Sequence, residues 1–84
     1  MTDLEFDVLD ELYFVVPFSH LQEELDVDDN TLKEVLKALL LKGWAKCFLT
    51  AAEEAIPDEI DFDNKYKEYY YLASKQGLLA HNGR

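Results

Sequence analysis

Residue types able to do chemistry are sparse in this chain: two histidines, His20 and His81, one cysteine, Cys47, the aspartates Asp58, Asp61 and Asp63, and a lysine-bearing stretch over 28–42. Histidine can act as a general base or a metal ligand, but either role needs a partner at workable spacing. His20 has only Glu23 and Glu24 at helical distance and reads as an exposed residue at a helix start. His81 reads as a cation that suits a helix C-terminus. Cys47 stands inside the apolar run 44–49 and reads as a small core residue, not a nucleophile. The three aspartates suit an oxygen-ligated cation such as calcium, yet the glycine and closing glutamate of an EF-hand loop are missing, so no metal is expected. No nucleophile, base and orienting group fall together, and no glycine-rich phosphate loop is present. The pattern points away from an enzyme, and no cofactor is expected.

Recognition is what remains. Asn30, Thr31, Lys33, Glu34, Lys37 and Leu41 make a candidate contact face for DNA or a protein partner. Asn30 and Lys37 suit base edges or phosphate, whereas Glu34 opposes phosphate and Leu41 has little to read except a thymine methyl. The same mixture also serves a helix face that is simply solvated.

These six residues are positioned by the stretch from Asp28 to Trp44. Leu32, Val35, Leu36, Leu39 and Leu40 recur at i, i+3, i+4, i+7 and i+8, which puts one apolar stripe on a helix. Asp28 is a suitable N-cap, and Thr31 with Glu34 offers an overlapping capping box. Lys42 suits the helix end, Gly43 can take the left-handed conformation that closes it, and Trp44 opens a strand.

Upstream, the spacing predicts a helix from Leu4 to Val16, with Leu4, Val8, Leu12 and Val15 on one face and Phe6 and Tyr13 behind, Leu9 lying between. A helix apolar on two sides needs two partners. The core supplies one, and a second subunit or the last helix supplies the other, so Phe6, Leu9, Tyr13, Leu78 and Leu79 are candidate dimer contacts. Pro17 stops this helix, and Ser19 with Gln22 reads as the capping box of a short second one. Its core positions are Leu21 and Leu25, with Val27 plugging the turn that follows. Downstream, a strand over Trp44–Leu49 matches one over Tyr66–Leu72, joined by an acidic connection that Pro57 breaks. Ser74 can cap a last helix that Asn82 and Gly83 terminate, and Gly77 within it implies close packing.

The net charge is −10 and unevenly spread: residues 1–27 carry eight acidic side chains and no lysine or arginine. The connection sets Glu53, Glu54, Asp58, Glu59, Asp61 and Asp63 against Lys65. With 49% apolar residues the chain is expected to fold, as a single domain over 1–84 small enough for dimerisation to add useful burial. Its apolar runs are too short to cross a bilayer, so no membrane contact is expected. The opening MTDLEFD is acidic and Cys47 has no partner for a disulfide, which suits a cytoplasmic protein.

Two motifs tie these elements to a known family. Ser19 to Leu25, Val27 and Leu32 to Leu40 lead into Lys42-Gly43-Trp44. Further on, Tyr71-Leu72-Ala73-Ser74-Lys75-Gln76-Gly77 is similar to Tyr-x-Leu-Thr-x-x-Gly, with Ala73 and Ser74 in place of Leu and Thr. In this order they resemble the winged-helix transcription regulators of the MarR and PadR type over nearly the whole chain. The resemblance implies an α+β, mostly helical fold: a winged helix-turn-helix with three N-terminal helices, a two-stranded β-hairpin wing and a C-terminal helix. It also implies that Asn30, Thr31, Lys33, Glu34 and Lys37 would enter the major groove. The wing departs from a phosphate-binding one, with six carboxylates against one lysine, and no arginine precedes Arg84. The expected function is therefore a regulatory module acting through protein contacts, as a homodimer or an adaptor. Binding of double-stranded DNA through helix 28–42 is the alternative, and an acidic DNA mimic a more distant one.

Overall fold

Thr2 opens the first helix with a reciprocal cap. Its hydroxyl accepts from the Glu5 amide at 3.0 Å, and the Glu5 carboxylate accepts from the Thr2 amide at 2.9 Å. In the computed structural model, which describes residues 1–83 and leaves Arg84 outside them, this helix is α1 (Asp3–Glu11). It buries Val8 and Leu9 and presents Leu12, its C-cap, to the same core.

The expected helix to Val16 thus ends five residues early. Beyond Leu12 come aromatic and β-branched residues that favour extended chain, and Pro17 excludes helical geometry at Val16. Val16–Pro17 instead forms β1, paired antiparallel with the strand β4 (Tyr70–Ala73) as Val16 to Tyr71 and Pro17 to Tyr70. An edge position suits Pro17, which has no amide to donate.

Pro17 is also the N-cap of α2 (Phe18–Glu24), without a side-chain capping bond, so Ser19 lies in the first turn and the anticipated Ser19–Gln22 box does not form. The Gln22 side-chain amide donates to Asp29 at 2.6 Å instead. Phe18 and Leu21 are fully buried, and Leu25 and Val27 pack partly buried against the core.

The third helix, α3 (Asp29–Leu41), follows its sequence pattern. Asp28 is the N-cap by position, but its carboxylate makes no bond to a helix amide and accepts from the Thr31 hydroxyl instead, so the overlapping Thr31–Glu34 box does not form, and Gly43 closes the other end at φ 74°. Leu32, Leu36 and Leu39 are fully buried and Val35 and Leu40 partly so. Each of the three contributes roughly 1.5–3 kcal/mol of burial.

A four-stranded antiparallel sheet follows where a two-stranded hairpin was expected, in the order β1-β4-β2-β3 with β2 at Ala45–Thr50 and β3 at Glu53–Glu54. Strand β2 pairs with β4 from Ala45 to Ala73 through Phe48 to Tyr70, and β3 folds back so that Phe48 faces Glu54. The second strand starts at Tyr70, not Tyr66. Residues Phe62–Lys65 form a short helix, α4, after a 3-10 turn at Pro57–Glu59, and Tyr66 is its C-cap. The Asn64 amide donates to the Asp61 carboxylate at 3.1 and 3.2 Å, a local bond that favours a turn over extension. The Tyr71 hydroxyl, deep in the core, donates to the Tyr66 carbonyl at 2.6 Å, and burial pushes its pKa far up. The chain is about half helical, so α+β holds and "mostly helical" does not.

Ser74 caps the last helix, α5 (Lys75–Asn82). Its hydroxyl accepts from the Gly77 amide at 3.1 Å and donates to the Gly43 carbonyl at 2.6 Å, tying the start of α5 to the turn after α3. Among the described residues no helix is long and apolar enough to cross a membrane.

Candidate functional site

The outward face of α3 carries the six candidate contact residues, and the acidic connection folds back onto one side of it. Asp63, on α4, lies 3.2 Å from the Lys37 ammonium and 3.6 Å from that of Lys33. Lys33 also sits over the Tyr66 ring, 5.2 Å from its centroid. A second bridge closes the far end, where Lys67 reaches Asp29 at 2.8 Å.

The lysine hydrogen bonds favour the ionised form of both aspartates. Lys37 beside Asp63, aided by Lys33, holds that carboxyl below the usual range. Lys67 and then Gln22 do the same for Asp29, and Asp29 raises the pKa of Lys67 in return.

Lys42, at the end of α3, and Lys46, on β2, are also engaged. Lys42 approaches the Glu5 carboxylate at 2.5 Å and lies over the Trp44 ring at 4.7 Å. Glu5 is 4% exposed. Burial pushes its carboxyl up, and the bonds from Lys42 and from Thr2 outweigh that, so it titrates below its ordinary value. Lys46 pairs with Glu54 at 3.6 Å across β2 and β3. Every lysine between residues 28 and 46 therefore faces a carboxylate of its own chain within 4 Å.

Of the remaining candidates, Asn30 and Glu34 are exposed and Thr31 is half-buried, its hydroxyl used on Asp28. Leu41 is 81% exposed. It borders a groove of about 440 Å³ between the C-terminal half of α3, β2 and the connection, lined by Leu40, Cys47, Ala55, Ile60 and Phe62 among others. Cys47 lies buried there, and burial pushes its thiol up to about 11, which keeps it in the unreactive protonated form. Among the described residues no group of three or more potential metal-binding side chains converges.

The candidate dimer contacts divide differently. Phe6 stacks on His81 with ring centroids 4.2 Å apart, and the Tyr13 hydroxyl bonds His81 Nδ1 at 2.9 Å and donates to Asn82 at 3.1 Å. The last helix thus packs over Phe6 of α1 and bonds Tyr13, which lies beyond the end of α1 and stays 42% exposed. Leu9 has no accessible surface and offers nothing to a second copy, a correction that follows from its place in the core. Leu78 is half-buried and Leu79 is 63% exposed.

Both histidines have partners that sequence spacing alone missed. His20 meets Glu11 at 3.1 Å across α2 and α1 and is half-buried. His81 Nε2 lies 3.3 Å from an Asp10 oxygen without making a hydrogen bond, and through its stacking on Phe6 the ring joins two helices as well as sitting in the last turn of one. The clamp of Asp63 and Tyr66 on α3 was also missed. The Asp61–Asn64 spacing is the one local signal that a helical turn would place them there. No protein family, curated protein or solved structure matches this chain.

Proposed function

We propose that this chain is a winged-helix module that acts through contacts with protein, as an adaptor or a homodimer, in the cytoplasm. The element order supports the winged-helix reading: three helices with β1 between the first two, then β2 and β4 antiparallel around a long connection, then a closing helix. The connection takes the place of the wing.

One observation carries the choice of protein over DNA. The lysines that would meet phosphate are each committed to a carboxylate of the same chain. Duplex binding draws most of its affinity from neutralised phosphates and released counterions, and these lysines would first have to leave Asp63, Glu5 and Glu54. Those carboxylates would then stand beside phosphate unscreened. An exposed Leu41 next to an apolar groove suits a protein surface better.

The test is a titration of labelled duplex DNA followed by fluorescence anisotropy. At about 50 mM salt, where phosphate contacts are strongest, no binding is expected. Binding that weakens steeply as salt is raised would overturn the reading in favour of a DNA-binding regulator using helix 28–42.

A further inference from the structure

His81 makes more contacts than its place in the last turn of α5 requires. Its ring is stacked 4.2 Å from that of Phe6 with 14° between the planes, stands edge-on to Tyr13 at 5.4 Å, and belongs to a side chain 10% exposed. The Tyr13 hydroxyl is 2.9 Å from Nδ1. On the other side of the ring, Nε2 is the one buried side-chain nitrogen or oxygen among the described residues without a hydrogen bond. An Asp10 carboxylate oxygen stands 3.3 Å from it.

The count of hydrogens at the hydroxyl decides the form of the ring. Tyr13 has one hydroxyl hydrogen, and it goes to the Asn82 side-chain oxygen at 3.1 Å. Nδ1 is then the donor to the Tyr13 oxygen and carries a hydrogen itself. In a neutral ring that leaves Nε2 as a bare lone pair, buried without a donor and beside a negative carboxylate. With a second hydrogen the ring is a cation, and the same neighbour attracts it. Stacking on Phe6 and a place at the C-terminal end of a helix favour the cation too.

The charges on the elements packed against α5 agree in sign. Helix α1 brings Asp10 and, one and two turns earlier, Asp7 and Asp3, with Tyr13 just beyond its end, and β4 carries no charged side chain. The turn at Gly43 meets the start of α5 and brings Lys42, which is held by Glu5. Within α5 the other cation is Lys75, at the opposite end, and Arg84 lies outside the described residues.

We propose that His81 is a proton-operated latch between α1 and α5: charged, it holds the last turn of α5 on Phe6, Asp10 and Tyr13, and on losing a proton it lets that turn lift and uncovers Phe6. Closure is complete below the ordinary histidine value of about 6.5 and is lost as pH rises past it. The latch goes beyond the protein-contact reading and stands without it.

Amide hydrogen exchange in the last turn of α5, corrected for the pH dependence of exchange itself, measures the opening between about pH 5 and 8, the range in which histidine changes charge. Opening is expected to rise about threefold across it, the scale of one exposed ion pair. Long-range 1H–15N spectra of the imidazole read the ring, and both nitrogens should carry a hydrogen for as long as the turn is closed. His81→Phe keeps an aromatic ring on Phe6 without the proton and is expected to make the opening independent of pH. Asp10→Asn, at an exposed position, leaves the fold intact and is expected to shrink the pH effect, whereas His20→Gln should leave it unchanged. A closed turn around a ring protonated on Nε2 alone overturns the latch. So does opening that ignores pH, or a pH effect undiminished by His81→Phe or by Asp10→Asn, or one that disappears with His20→Gln.

Discussion

Gly77 has no room for a side chain. A Cβ built there would lie 1.9 Å from the Trp44 carbonyl oxygen and 2.8 Å from its carbon, which are backbone atoms with no rotamer to yield. The close approach sets the start of α5 against the turn after α3, where the capping Ser74 also donates to the Gly43 carbonyl. Gly77→Ala is expected to destabilise the fold by about 3 kcal/mol, the upper part of the overpacking range, because α5 must move as a unit. Urea denaturation measures it, and a change below about 0.5 kcal/mol, typical of a neutral surface substitution, would contradict the packing. Gly43, at φ 74°, carries the other constraint on this corner, a left-handed turn that a side chain would strain.

At the scale of elements, α4 is held to α3 by charge and by a ring contact. Asp63 with Lys33 and Lys37, Asp29 with Lys67, and the two lysines over Tyr66 make up the clamp. Below it, Phe62 and Tyr66 pack on the core, with Tyr66 edge-on to Phe18 at 5.2 Å. Asp29 and Asp63 titrate below their ordinary value of 3.8 when folded, so their contribution is complete above that value and is lost as pH falls through the depressed ones. The raised Lys67 contributes below 10.5 and stops contributing as pH rises through its folded value. The clamp is therefore expected to hold across the neutral range and to loosen in acid below about 3.8. Backbone signals of 62–67 should move in that window, and Asp63→Asn should remove part of the movement. Signals that stay in place down to the unfolding of the whole chain would show that the ring contacts alone hold α4.

For the whole molecule, charge of one sign dominates. The chain carries 18 acidic against 8 basic residues, and its ion pairs use only some of the carboxylates. Added salt weakens those pairs, which stabilise little at exposed positions, and also screens the repulsion among the unpaired carboxylates. The second effect involves more groups. Tm is expected to rise between low salt and physiological ionic strength, where the screening length shortens to about 8 Å. Scanning calorimetry decides this, and a falling Tm would mean that the pairs on α3 matter more than the surplus charge.

What the sequence determined by itself was whatever depends on near neighbours: the leucine stripe and ends of α3, the Ser74 cap, the tight fit at Gly77, the apolar setting of Cys47 and the excess of negative charge. The stripe, the caps and the setting of Cys47 are written in residues within a helical turn or two, where side-chain type and backbone preference act directly, whereas Gly77 signalled only that something packs close and the structure identified it as the Trp44 backbone. The sequence also showed a second apolar stripe on α1 without showing what covers it. Tertiary structure decided that α5 packs over Phe6 through His81, that β1 ends the first helix, and that the acidic connection lies on the lysines of α3. These depend on groups far apart in the chain, such as Phe6 with His81 and Lys37 with Asp63, whose meeting is set by the path of the backbone and by shared burial. A carboxylate near a lysine in space leaves no periodic mark in the sequence, so the neutralisation of α3 could be seen only once the connection had been folded back upon it.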